Sequence, residues 1–197
     1  MSRAHTKESL IATAKTLFAQ RGYEGMSMRE LASALHVTQA ALYYHFKDKD
    51  ALYLAVMEKV AEGPVSRLKT AKESSSDARA QLAAVVKQLA VDLNNDRELC
   101  RLLFWSLLDE DRQRGKLLGQ RVFGHGIEIF SSIAAEVWPQ RDPCQSAISV
   151  IAAAVFPYAV ANMGDNIEGW QDRALVPDTL AENLMAMFGI AEKDEKI

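Results

Sequence analysis

Apolar residues recur at spacings of three and four along most of the chain, which is the period of an amphipathic α-helix. Alternating apolar and polar residues joined by Asn-Gly or Asp-Gly turns, the pattern of β-hairpins, do not occur in the sequence. Glycine and proline mark the joints between the helical segments. The pattern therefore predicts an all-α protein.

Three short helices are predicted within the first fifty residues. The first ends at Gly22, a residue type typical of helix C-termini. Ser27 and Glu30 have the spacing of a capping box, in which each side chain bonds the other residue's backbone, and they open the second helix. Thr38 is the expected N-cap of a third helix over residues 39 to about 46. The second and third helices with their short turn predict a helix-turn-helix, which can place its second helix in the DNA major groove.

The remaining segments are also predicted to be helical. A fourth helix follows Lys49 and is expected to kink or stop at Pro64. Residues 99–107 are apolar on most of the helix circumference and are expected to be buried. Residues 147–161 form the most apolar stretch, but they are fewer than the roughly 20 residues that a membrane span needs, so we expect a buried helix there.

The composition indicates a folded protein without a large excess of positive charge. The chain has 197 residues, of which 49% are apolar, and this length suits one large or two small domains. The formal net charge is only −3, although residues 1–50 carry seven Lys or Arg against five Asp or Glu. Any DNA affinity must therefore come from individually placed contacts and from dimerisation.

The outward face of the third helix carries residue types suited to DNA. Gln39 can pair with adenine through two hydrogen bonds, and the small Ala40 can contact a thymine methyl group. Tyr43, His45 and Lys49 suit phosphate oxygens. In an arbitrary helical protein, two adjacent tyrosines would more often pack against a neighbouring helix.

The segments from Met26 to Ala32 and from Val37 to Leu52 resemble the DNA-binding domain of the TetR (tetracycline repressor) family. The resemblance covers about the first fifty residues, and Ala41 stands where the family often has Thr or Gly. It implies a helix-turn-helix domain at residues 1–50 and a helical ligand-binding and dimerisation domain at residues 51–197. The implied base-contacting residues are Arg29, Gln39, Ala40 and Tyr44. The implied phosphate-contacting residues are Ser27, Thr38, Tyr43, His45 and Lys49.

The C-terminal part has the aromatic and apolar residues that an effector pocket needs, although core packing is the commoner role for each of them. His125 lies between two glycines and is a possible polar contact, but a buried core histidine is the favoured interpretation. The candidate ligand-binding residues are Phe104, Trp105, Phe123, His125, Phe130, Phe156, Met163 and Trp170.

The predicted function is a cytoplasmic, ligand-responsive repressor. We expect a homodimer formed through the last two helices, at residues 145 to about 162 and 177 to about 190, binding a palindromic DNA operator and released by a small apolar or amphipathic effector. An activator, a redox sensor using Cys100 or Cys144, and a helical ligand carrier are the alternatives. No catalytic, phosphate-binding or metal-binding motif occurs, so we expect neither enzymatic activity nor a cofactor nor a metal, and no membrane partner.

Overall fold

The fold is all-α, as predicted, in a computed structural model that describes residues 6–170 and 175–190. No β-strand occurs in that part of the chain. A π-helical turn at Gly119–Phe123 precedes α8 and a 3₁₀ turn at Ala161–Asn166 follows α9. The helices are α1 (Lys7–Arg21), α2 (Met28–Ala34), α3 (Gln39–His45), α4 (Lys49–Glu73), α5 (Ala78–Asn95), α6 (Arg97–Leu107), α7 (Arg112–Leu118), α8 (Gly124–Val137), α9 (Pro143–Val160) and α10 (Pro177–Met187).

The chain divides into two compact units whose boundaries differ from the expected one at residue 50. The first unit contains residues 1–63 and 97–124, and the second contains residues 64–96 and 125–197. Helix α4 contributes residues to both units. The assignment of DNA binding to residues 1–50 and of ligand binding and dimerisation to residues 51–197 stays a prediction.

The first unit has a core built by α1 to α4 together with residues from α6, α7 and the π-helical turn. Phe18, Leu42 and Leu52 are fully buried there. Helix α6 packs on α1, where the indole N–H of Trp105 donates to the Ala19 carbonyl at 3.3 Å. The same indole ring lies against Gly22, whose φ of +69° also favours glycine.

The burial expected for residues 99–107 is wrong for most of α6. Leu102 is fully buried, but 42% of Trp105 and 64% of Leu107 are exposed. An apolar circumference gives burial only where neighbouring elements cover it. The packing partner of α6 in this unit is α1, which covers one face.

The second unit has its own core, formed by the later part of α4 with α5, α8, α9 and α10. Helix α4 does not stop at Pro64 but continues to Glu73. Leu68, beyond the proline, is buried in this core, and its burial helps to offset the backbone hydrogen bond that Pro64 cannot donate.

Within one chain, the burial expected for residues 147–161 is only partial. One face of α9, with Ala147, Val150 and Ala154, packs against α5 and α10, while much of the opposite face is exposed. Residues Pro143–Gly164 are long and apolar enough to cross a membrane: an 18-residue window within them has a mean hydropathy of 1.6, and 22% of that window is buried. The helix therefore presents an uncovered apolar face.

Candidate nucleic-acid interface

Helix α2 begins with the predicted capping box. The Ser27 hydroxyl oxygen accepts from the backbone N–H of Glu30 at 3.2 Å, and the Glu30 carboxylate accepts from the backbone N–H of Ser27 at 2.8 Å. The Ser27 hydroxyl also donates to the Glu30 carboxylate at 2.6 Å, and this bond, together with the one from the Ser27 backbone N–H, lowers the pKa of the Glu30 carboxyl. Arg29, in the first turn of the helix, is exposed.

The turn between α2 and α3 closes through two backbone hydrogen bonds. Val37 N donates to Ala32 O at 3.0 Å, and His36 N donates to Ser33 O at 3.1 Å, which together form a Schellman motif. His36 has φ of 57°, a left-handed conformation that histidine adopts more readily than most residues. His36 is therefore the residue that ends α2.

Helix α3 is capped by Thr38 as predicted, and it packs on the core of the first unit. The Thr38 hydroxyl oxygen accepts from the backbone N–H of Ala41 at 3.1 Å. Leu42 is fully buried and Phe46, at the C-cap, is 3% exposed. These two residues fix the helix on the core of the first unit and leave its other side facing solvent.

The solvent-facing side of α3 carries four of the nine residues predicted to contact DNA. Gln39, Ala40, Tyr43 and Tyr44 are exposed, and Tyr44, at 85%, is the most exposed of the tyrosines in this group. We call these four residues the α3 face. Two adjacent tyrosines that pack on neither core differ from the buried aromatic residues of an ordinary bundle.

His45 and Lys49 are half-buried beside the α3 face. The His45 ring lies edge-on to Tyr44 with the ring centroids 5.1 Å apart. The Lys49 ammonium donates to the Tyr23 carbonyl oxygen at 3.1 Å and lies 3.8 Å from the centroid of the Tyr23 ring. Ser27 and Thr38 are exposed although their hydroxyl groups cap helices. The DNA-contacting roles of all nine residues remain predictions.

The first unit also contains a buried cation, Arg114, which the sequence did not predict. The Arg114 side chain is 9% exposed, and its Nη1 donates to Asp50 Oδ1 at 2.8 Å. Its Nη2 donates to Asp109 Oδ1 at 3.0 Å, and its Nε donates to the other Asp109 oxygen. The guanidinium carbon lies 3.5 Å from the centroid of the Tyr23 ring. We call Tyr23, Asp50, Asp109 and Arg114 the Arg114 cluster.

The charges of the Arg114 cluster stabilise one another. The hydrogen bond from Arg114 is the main reason why the pKa of Asp109 is lowered. For Asp50, burial acts to raise the pKa, but the hydrogen bonds from Arg114 and from the Tyr23 hydroxyl outweigh it and the pKa is lowered. Burial and the Asp50 carboxylate raise the pKa of Tyr23. Both carboxylates and the guanidinium are therefore charged at neutral pH, and Tyr23 is protonated.

The candidate ligand-binding residues fall in both units. Phe104, Trp105 and Phe123 belong to the first unit. In the second unit, Phe130 is buried in the core, whereas Phe156 and Met163 are 64% and 59% exposed. The remaining two are His125 and Trp170, and Trp170 lies against Gly164. Their ligand-binding role stays a prediction.

The expectation that His125 is a core residue is wrong. Its side chain is 66% exposed, and its Nδ1 lies 3.4 Å from Glu128 Oε2. Ile129, Phe130 and Ile133 form the buried face of α8, and His125 lies outside that set. The His125 side chain therefore lies on the solvent-exposed side of α8.

A cavity of about 530 Å³ opens on the second unit, and none of the candidate ligand-binding residues lines it. It lies among the end of α8, the start of α9 and the end of α10. Its lining residues are Trp138, Arg141, Asp142, Gln145, Ser146, Ser149, Val150, Met187 and Phe188.

Within residues 6–170 and 175–190, no group of three or more His, Cys, Asp or Glu is placed to hold a metal ion. Cys100 is half-buried and Cys144 is exposed.

Comparison with known proteins connects the first unit with a family of regulators. Residues 10–56 match the model described as bacterial regulatory proteins, tetR family. The transcriptional activator FasR of Mycolicibacterium smegmatis is 32% identical over 104 residues, which are 53% of this chain and 48% of FasR. The regulator AcrR of Shigella flexneri is 30% identical over 139 residues, which are 71% of this chain and 57% of AcrR. The chain thus spans about half the length of these relatives.

Solved structures share the fold over nearly the whole chain. FadR from Bacillus subtilis, solved in complex with stearoyl-CoA, has a TM-score of 0.76 at 15% identity and covers 92% of this chain and 97% of its own. AibR, solved with isovaleryl coenzyme A and operator DNA, has a TM-score of 0.71 at 19% identity and covers 94% of this chain and 99% of its own. At these identities the likeness concerns the fold.

Proposed function

Because the chain belongs to the TetR family of bacterial regulatory proteins, we propose that it is a DNA-binding transcription regulator that reads its operator with the α3 face. One observation carries this proposal: the family match at residues 10–56 includes a short capped helix whose outward side is Gln39, Ala40, Tyr43 and Tyr44. Such a helix presents amide and hydroxyl groups to base edges and phosphates at the same time.

The roles within the site follow from residue chemistry. Gln39, Ala40 and Tyr44, with Arg29 from α2, contact base edges. Tyr43, His45 and Lys49, together with the hydroxyl groups of the two cap residues Ser27 and Thr38, contact phosphates and fix the register. Since the net charge of the whole chain is −3, these placed contacts supply the affinity that a basic surface supplies elsewhere.

The regulator acts as a homodimer joined through α9 and α10. The exposed apolar side of α9, with Ile148 and Phe156, supplies surface for a second copy of the chain. A twofold dimer places two α3 helices about 34 Å apart, one turn of DNA, so the operator is a palindrome. We place the protein in the cytoplasm, where the DNA is, and assign it no enzymatic activity.

The effector is a small apolar or amphipathic molecule that binds the second unit and releases the operator. Binding shifts the dimer between two arrangements, and α4, which has residues in both units, transmits the change. Stearoyl-CoA and isovaleryl-CoA, present in the FadR and AibR structures, are the first compounds to test. Repression is the proposed direction, and because FasR is named an activator, a reporter gene with and without effector decides between the two.

DNA binding is tested by selecting duplexes from a random-sequence pool with the wild-type protein and measuring gel retardation of the selected duplex. Tyr43→Ala and Lys49→Ala are each expected to weaken binding several-fold because each removes a phosphate contact. Lys59→Ala is the matched control, since Lys59 is an exposed α4 cation outside the proposed site. Wild-type affinity in both site variants would contradict the proposed interface.

A further inference from the structure

Arg114 has contacts that fix the orientation of its side chain closely. A buried guanidinium is stable only when its N–H groups are paired. The two carboxylate oxygens of Asp109 accept one hydrogen bond each from Arg114 Nε and Nη2, and this bidentate pair fixes the plane of the guanidinium. With that plane fixed, Nη1 donates to Asp50 in the first turn of α4. The guanidinium carbon lies against the ring of Tyr23, a residue of the segment that joins α1 to α2. One side chain from α7 therefore links three other segments of the first unit.

Tyr23 connects this cluster with Lys49. The same ring that lies 3.5 Å from the Arg114 guanidinium lies 3.8 Å from the Lys49 ammonium. The Tyr23 carbonyl accepts one hydrogen bond from Lys49, while an ammonium group has three N–H donors. The ammonium is thus oriented by Tyr23 and still has donors for another acceptor, such as a phosphate oxygen.

We propose that Arg114 is a positioning residue for DNA binding: through Tyr23 and Asp50 it holds the first turn of α4 and the Lys49 ammonium where they meet the phosphate backbone. The inference rests on the proposed function and deepens it, because it assigns a role in DNA binding to a residue of α7, outside residues 1–50. Arg114 itself is 9% exposed, so it acts through Tyr23 and Asp50 and not by touching a phosphate.

The test separates positioning from direct contact by the salt dependence of binding. The probe is a fluorescently labelled, mixed-sequence duplex of about 40 base pairs, titrated from about 0.05 to 0.3 M KCl. The principal variant is Arg114→Gln combined with Asp109→Asn, since asparagine keeps the acceptor for the Asp111 backbone N–H and leaves no buried carboxylate unpaired. Arg112→Gln, an exposed arginine on the same helix, is the matched control.

The slope of log K against log salt is expected to become shallower by about 0.9 for each phosphate that Lys49 no longer neutralises, or about 1.8 per dimer. Lys49→Ala is expected to give the same change, and adding it to the double variant is expected to give no further change. Arg112→Gln keeps the wild-type slope. A partly unfolded sample lowers the amount of bound DNA without changing the slope, so a merely structural role does not reproduce this result.

Arg114→Lys provides a second variant that keeps the buried charge but removes the planar fork, and its slope is expected to change in the same direction. A wild-type slope in both Arg114 variants, a wild-type slope in Lys49→Ala, or additive changes of slope in the combined variant would each overturn the inference. If the wild-type protein binds the duplex without salt dependence, the proposed function itself fails, which is a different result from any of these three.

Discussion

At the scale of single residues, Asp109 is the acid on which the buried charge of Arg114 most depends. Its side chain is 11% exposed and receives two hydrogen bonds from the guanidinium. The pKa of Asp109 is lowered in the folded chain, so the unfolded chain binds more protons in acid solution. The contribution of this pair to stability is complete above the ordinary aspartate pKa of about 4 and is lost as the pH falls below it.

We therefore expect Asp109→Asn to lower the free energy of unfolding by about 3 kcal/mol at pH 7, the cost of removing one partner of a buried ion pair. The difference from wild type is expected to shrink as the pH falls below about 4, because the unfolded wild-type chain then binds a proton at Asp109 that the folded chain binds only at lower pH. Urea unfolding across this pH range measures both quantities. Glu110→Gln is the control, since Glu110 is an exposed neighbour. A difference that does not change with pH would show that the ion pair is not its source.

At the scale of elements, the end of α1 is fixed by glycine and by a tryptophan from α6. Gly22 has φ of +69°, and a Cβ added to it would lie 3.0 Å from two carbon atoms of the Trp105 ring. An alanine there meets both a strained backbone conformation and a crowded contact. Gly115, in the middle of α7, has no such neighbour within 4 Å.

Alanine substitutions at the two glycines are thus expected to change the free energy of unfolding in opposite directions. Gly22→Ala lowers the free energy of unfolding by about 1–3 kcal/mol, because the left-handed conformation is strained and the Trp105 contact is crowded. Gly115→Ala raises it by about 0.5–1 kcal/mol, because alanine loses less conformational freedom in a helix. Thermal or urea unfolding of the two variants side by side checks the pair. Equal effects would show that the conformation of Gly22 is not what limits substitution.

The helix ends were predictable because each cap depends on residues no more than four positions apart. The capping box at Ser27 and the N-cap at Thr38 formed where the sequence indicated. The burial of α6 and α9 was not predictable, since it depends on which helices cover each face. Arg114 gave no sequence signal either, because its partner Asp50 lies 64 residues away along the chain.

At the scale of the whole molecule, the apolar side of α9 is the feature that a single chain leaves uncovered. Ile148, Ala152 and Phe156 recur at intervals of four on this helix and are exposed, with Phe156 at 64%. On α10, 76% of Met187 is also exposed. Burying such residues against a second chain removes apolar surface from water, which is the main driving force of association.

Phe156→Glu is accordingly expected to convert the dimer into a monomer, because it places a charge in the apolar contact between chains. Sedimentation equilibrium is expected to give twice the chain mass for wild type and one chain mass for the variant. Ala135→Glu adds the same charge at an exposed position on α8 and is expected to stay dimeric. A dimeric Phe156→Glu protein would place the subunit contact elsewhere.

If the α3 face reads a DNA sequence, the protein binds the selected duplex more tightly than a scrambled duplex, and the ratio of the two affinities measures this preference. In the proposed interface Gln39 contacts a base edge and no phosphate, so Gln39→Ala is expected to remove a base contact alone. The variant is expected to lose about 1–3 kcal/mol of binding free energy for the selected duplex, while its binding to the scrambled duplex is unchanged. The ratio of affinities then falls roughly 5- to 150-fold. A wild-type protein that binds both duplexes equally, or a Gln39→Ala variant with an unchanged ratio, would show that the α3 face does not read the DNA sequence.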